Sequence, residues 1–191
     1  MTVAQPGRVD HRSGAKGPAG RLIAVDGLNG AAVHKTAVAR LAEVPKSRRG
    51  GVSVWDASGV FADLVVAGPD AGHPSPRTLV LLYAADLAFR LRWEIRPAHA
   101  EGRTVAAAPY VETAVAFGRA AGLPAGWLHD LFSFAIKAHA THRLDGAPAR
   151  GTDAAGFVGF ACDRLDEGGF SIARPALAER ARKHLRRMAA P

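Results

Sequence analysis

The stretch Leu22-Ile23-Ala24-Val25-Asp26-Gly27-Leu28-Asn29-Gly30-Ala31-Ala32-Val33-His34-Lys35-Thr36 decides the architecture. Its first four residues are a short apolar run that reads as a buried strand, and Asp26-Gly27 supplies the turn that ends it. Helical spacing of apolar residues then runs over 36–44 and stops at Pro45. A strand that turns through glycines into a helix is the setting in which backbone N–H groups converge on phosphate. Such a loop also needs a lysine at its end and a hydroxyl for magnesium. Gly27, Gly30, Lys35 and Thr36 supply these residue types and are the candidate cofactor-binding residues, for ATP and magnesium. Their spacing departs from Gly-x-x-x-x-Gly-Lys-Thr: Lys35 comes two residues late, with His34 in place of the glycine before it. Taken alone, the stretch also fits a strand-to-helix turn that binds nothing.

Outward from this point the alternation continues. Residues 51–55, 104–108, 139–144 and 170–173 read as further strands. Residues 78–97, 110–121, 128–137, 154–166 and 175–188 read as helices. Alternating strands and helices imply an α/β fold, a parallel sheet covered on both faces. Residues 1–20, rich in glycine, proline and polar groups, read as a flexible tail, which leaves 21–191 as one domain. The chain has 191 residues, 48% hydrophobic and 22% charged, enough apolar content for one core and too much for disorder.

The formal net charge is +8. Part of it sits in two places: Lys46, Arg48 and Arg49, and a last helix carrying Arg180, Arg182, Lys183, Arg186 and Arg187. No aromatic residues interleave with either run, so solvated faces are favoured over a nucleic-acid surface. Cys162, the single cysteine, lies in an apolar helical stretch and reads as a buried spacer. No apolar run reaches the roughly 20 residues of a membrane helix, and no signal-peptide core is present, so a cytoplasmic protein is expected. His139 and His142 sit at odd spacing, which on one strand places them on opposite faces. No grouping has zinc-like spacing, and no metal site is expected.

Several later motifs fall in a recognisable order. They are Leu81-Leu82-Tyr83-Ala84-Ala85-Asp86-Leu87, Ile95-Arg96-Pro97 with Gly102, Ala108-Pro109-Tyr110-Val111-Glu112-Thr113-Ala114-Val115-Ala116-Phe117, and Thr141-His142-Arg143-Leu144-Asp145 with Pro148. With the opening stretch, their order and approximate spacing resemble the thymidylate kinase family from about residue 21 to the C-terminus. That family carries Glu-Gly-x-Asp-Gly-x-Gly-Lys-Thr, then Leu-Leu-Phe-x-Ala-Asp-Arg, then Asp-Arg-Tyr before a helix. The resemblance implies a P-loop nucleoside-monophosphate-kinase-like three-layer fold with a five-stranded parallel sheet, and a homodimer.

The departures fall where that family handles phosphate. Its Asp-Arg pair before Tyr110 is Ala108-Pro109, its arginine after Asp86 is Leu87, and the arginine of its Thr-Arg-Glu-Pro-Gly-Gly turn maps to Trp55. In its lid region only Arg150 stands. Phosphoryl transfer is positioning plus cancellation of charge, and loss of one such donor commonly costs ~100-fold in rate. Trp, Leu and Pro cannot replace a bidentate guanidinium.

The expectation is a divergent member that is not an efficient dTMP kinase, recruited to bind or transform a small neutral ligand in the former acceptor cleft, or to serve as a non-catalytic subunit. The alternatives are an active nucleoside monophosphate kinase using ATP and magnesium, and a module binding nucleic acid or an acidic protein. Trp55, Tyr83, Leu87, Pro109 and Thr113 are the candidate cleft residues, with Tyr83 either a stacking platform or a core aromatic. Asp56, Asp86, Tyr110 and His34 are the candidate acid–base groups, with helix caps, ion pairs and a surface imidazole as the plainer alternatives.

Overall fold

The computed structural model describes residues 19–67, 73–148, 152–167 and 174–189. Four strands, β1 (Arg21–Gly27), β2 (Arg49–Val54), β3 (Thr104–Ala108) and β4 (Ala140–Leu144), form one parallel sheet in the order β2-β3-β1-β4. The expected fifth strand, 170–173, lies outside the described residues, so the sheet has four strands among those described. Residues 1–18 of the expected tail also lie outside them. Gly20, assigned to that tail, is buried, and a Cβ there would lie 2.5 Å from the His99 carbonyl oxygen. The packed domain therefore starts before residue 21.

Every residue of β3, Thr-Val-Ala-Ala-Ala, is buried, which suits a central strand whose small side chains let helices approach closely. On one face, α1 (Gly30–Ala42) seals Val25, Ala106 and Ala108 with Val33, Ala37 and Leu41. On the other, α3 (Pro76–Arg90), α5 (Val111–Ala120) and α7 (Thr152–Glu167) build a larger core. It joins Leu22, Ala24 and Ala107 to Leu79, Tyr83, Leu87, Phe117 and Phe157. The last helix, α8 (Arg174–Ala189), packs along α5. Cys162 is buried in the same core. Among the described residues no helix is long and apolar enough to cross a membrane.

The helix expected over 78–97 is not continuous. Ser75 caps α3 by accepting from the Thr78 N–H at 3.1 Å, with Pro76 in the first turn. After Arg90 the chain widens into a π-helical turn, Leu91–Ile95, and tightens again into α4 (Arg96–Ala100). The cause is Pro97, which has no N–H to give and whose ring crowds the carbonyl four residues back; the wider turn accommodates it. The helix expected over 128–137 is α6 (Ala125–Leu131), which begins after Pro124 and ends sooner. One helix was not anticipated, α2 (Val60–Ala67). β4 begins at Ala140, so His139 lies outside the strand and strand alternation does not govern it.

Candidate functional site

The β1–α1 turn is short. β1 runs to Gly27 and α1 begins at Gly30, leaving only Leu28 and Asn29 between them. Leu28 is buried in the core. The Asn29 side-chain oxygen accepts from the Ala32 N–H at 2.9 Å, an N-cap that starts the helix. The Gly27 N–H, a donor that would face phosphate in an open loop, instead donates to Thr113 Oγ1 at 3.0 Å. The loop is therefore not lengthened, which corrects the gapped reading. Lys35 and Thr36 fall in the second turn of α1, with Lys35 and His34 exposed and Thr36 half-buried. Neither converges with Gly27 and Gly30.

Matched without a gap, Glu-Gly-x-Asp-Gly-x-Gly-Lys-Thr falls on Asp26 to His34. Ala32 then takes the place of the last glycine, Val33 of the lysine and His34 of the threonine. Val33 is 1% exposed, inside the apolar cluster beneath α1. Above the turn, α7 lies directly on α1. Gly156, at φ +61°, approaches so closely that a Cβ would stand 2.7 Å from Gly30 Cα.

Asp26, at the end of β1, is fully buried. Its Oδ1 accepts from the Tyr110 N–H (3.0 Å), the Thr113 N–H (3.0 Å) and the Thr113 hydroxyl (2.8 Å), and its Oδ2 has no hydrogen-bond partner. Burial pushes the carboxyl up to about 6, against the downward pull of the Thr113 bonds. The Tyr110 hydroxyl donates to the Ile136 carbonyl at 2.7 Å, and burial pushes it up to about 12. The Tyr83 hydroxyl donates to the Tyr110 carbonyl and is likewise raised by burial. Neither phenol gives up its proton near neutral pH.

Asp86 is buried on α3 and organises the β2–α2 turn. Its oxygens accept from the Asp56 N–H (3.0 Å), the Ser58 N–H (3.0 Å) and the Ser58 hydroxyl (2.9 Å). One turn along α3, Arg90 is also fully buried, with Nε 3.2 Å from Asp86 Oδ2. Its two terminal nitrogens both donate to the Pro109 carbonyl at 3.0 Å. Asp56 itself, at φ +60°, caps α2 by accepting from the Phe61 N–H (2.8 Å) and Ala62 N–H (3.0 Å). Its carboxyl is raised, chiefly by partial burial.

The expected cleft is core. Tyr83, Leu87 and Thr113 are at most 1% exposed and Pro109 is buried. Trp55 is half-buried, its ring 4.9 Å from Phe61 and 5.8 Å from Phe160, while Phe157 stands 4.6 Å from Tyr83. No group of three or more His, Cys, Asp or Glu among the described residues is placed to hold a metal.

No family model matches the sequence. The chain is 33% identical over 133 residues to a probable thymidylate kinase of Pyrobaculum calidifontis, a match covering 67% of this chain and 65% of that one. It therefore spans just under two thirds of that relative's length. The chain belongs to the thymidylate kinase family. Its fold agrees: the crystal structure of thymidylate kinase from Ehrlichia chaffeensis superposes with a TM-score of 0.61, covering 90% of this chain and 87% of that one at 14% identity.

In this thymidylate kinase family member the candidate groups fall in separate places. The structure joins Asp56 and Asp86 in one turn and Tyr110 and Thr113 around Asp26. It separates Lys35, Thr36 and His34 from both clusters, and Arg150 lies outside the described residues. The sequence reading missed Arg90, although an aspartate and an arginine four apart on a helix are facing neighbours.

Proposed function

We propose that this member of the thymidylate kinase family does not transfer phosphate and works as a non-catalytic, protein-binding subunit. One observation carries the reading: Val33, buried under α1, stands in the lysine's place. A side chain with no charge and no donor cannot cancel the charge that moves in phosphoryl transfer. The buried Arg90 does not substitute, because its terminal nitrogens donate to the Pro109 carbonyl and its charge is paired with Asp86. Burial of Tyr83, Leu87 and Thr113 favours the subunit role over capture of a small neutral ligand in the former acceptor cleft.

What the subunit would bind is suggested by α3 and its continuation. Leu81, Ala85, Phe89 and Trp93 recur every four residues along one exposed line, and Trp93 is 61% exposed. An apolar stripe of this kind at helical spacing suits a facing helix. A second copy of this chain is the partner proposed, in line with the homodimer implied by the family resemblance.

The test is ADP release measured with ATP, magnesium and dTMP. We expect no stimulation by dTMP and no magnesium-dependent rise in melting temperature with ATP. Strong stimulation by any nucleoside monophosphate overturns the reading. Light scattering should report a dimer that Trp93→Glu converts to monomer.

A further inference from the structure

At the end of the sheet opposite the sealed β1–α1 turn lies a cavity of about 380 Å3. It opens where β1, β3 and β4 begin and α1 ends. Its lining includes Ile23, Val44, Pro45 and Ala140, and around these stand Arg21, Arg40, Arg48, His139 and His142, with Glu43 the single acidic group. Three guanidinium groups thus face one carboxylate.

Most of their hydrogen-bonding capacity is unspent. Arg21 has no side-chain partner among the described residues. Arg40 uses one nitrogen on the exposed Glu43, at 2.8 Å. Arg48 makes a single long bond, 3.3 Å, to the Gly102 carbonyl. His139 Nδ1 accepts the Leu22 N–H at 3.1 Å, which fixes the proton on Nε2 and leaves it a donor. A helix ends here, and its carbonyls would repel an anion. Arg49 answers that repulsion: its Nε donates to the Val44 carbonyl at 2.7 Å and its Nη2 to the Ala42 carbonyl at 2.6 Å. The negative end of α1 is thereby neutralised without drawing on the arginines around the cavity.

We propose that this cavity binds a small phosphate polyanion, a molecule carrying two or more linked phosphates. Guanidinium forks match phosphate oxygens in pairs. Several cations spread around a small-molecule-sized hollow call for more than one anionic group. The apolar lining distinguishes the place from a merely solvated basic face and gives the carrier of those phosphates something to rest on. The site is independent of the reading of the β1–α1 turn, from which the length of β1 separates it.

The probe is inorganic tripolyphosphate, titrated calorimetrically into the full chain at low salt without magnesium. Binding should be one to one and weaken steeply with added salt. Arg21→Ala combined with Arg40→Ala should weaken it at least tenfold at unchanged melting temperature, while Lys35→Ala and Lys183→Ala leave it intact. Absence of binding overturns the proposal, as does binding that survives the double variant or is lost with Lys35→Ala. Tighter binding of citrate overturns the phosphate assignment. A single-stranded oligonucleotide that binds far more tightly, and is weakened equally by Lys183→Ala, shows an extended nucleic-acid surface in place of a small-molecule site.

Discussion

Replacing Asp26 by asparagine should make the protein's stability less dependent on pH, in a direction opposite to that of most carboxylates in folded proteins. Two effects compete at this carboxyl. Three donors converge on Oδ1 and favour the ionised form, while complete burial and the partnerless Oδ2 disfavour it. Burial wins, carrying the group from 3.8 to about 6. Below about pH 4 the carboxyl is protonated whether the chain is folded or not. Between about pH 4 and 6 the unfolded chain loses its proton while the folded chain keeps it, so stability falls as pH rises. Two units at about 1.4 kcal/mol each make the loss about 3 kcal/mol by pH 7. For a chain of this size that is about 6–12 °C of melting temperature. The amide of the Asp26→Asn variant has nothing to ionise, and whatever it costs is independent of pH. Scanning calorimetry of both proteins from pH 4 to 8 should show the difference, variant minus parent, rising by about that amount and levelling above pH 7. A constant difference refutes the reasoning. A falling one means that the three donors outweigh burial.

Two further substitutions test buried packing, with a third as a control. Gly156→Ala should destabilise by more than ~1–3 kcal/mol in urea unfolding, because its φ of +61° suits glycine and the new Cβ would strike Gly30; Gly126→Ala in α6, with nothing within 4 Å, should be neutral or mildly stabilising. Arg90→Met should cost about 3–5 kcal/mol by the same measurement, since it strands the Asp86 carboxylate without a cation.

The sheet was legible where side chains alone forced it. Thr104-Val105-Ala106-Ala107-Ala108 has no polar face to show to water, and its burial as a central strand follows directly. The parallel arrangement followed from the alternation with helices. The β1–α1 turn was misread because Lys35-Thr36 looks like a motif end, which drew the alignment into a gap. The signal against it was Asn29, a good N-cap immediately before an alanine-rich run. α2 escaped because Val60-Phe61 and Val65-Val66 favour strand locally, while its cap, Asp56, holds a left-handed conformation stabilised by Asp86 from another helix. Of the candidate cleft residues, Trp55, Leu87 and Pro109 are apolar by composition, but only packing distances could show that Phe157, Phe160 and Phe61 fill the space around Trp55 and Tyr83. His139 was placed on a strand one residue too early, and that single offset hid its neighbourhood with His142.

Arg90 also bears on what it would take to place the family's arginine back at position 87. The guanidinium the family keeps beside its aspartate is present here one helical turn further on, where it rivets α3 to the ends of β2 and β3. Restoring arginine at position 87 alone would drive a second cation into an apolar interior, and deleting the one at 90 alone would orphan a carboxylate. Each single step runs uphill, so a designer would have to move both residues together, with the Phe157 side of the core remodelled to receive them.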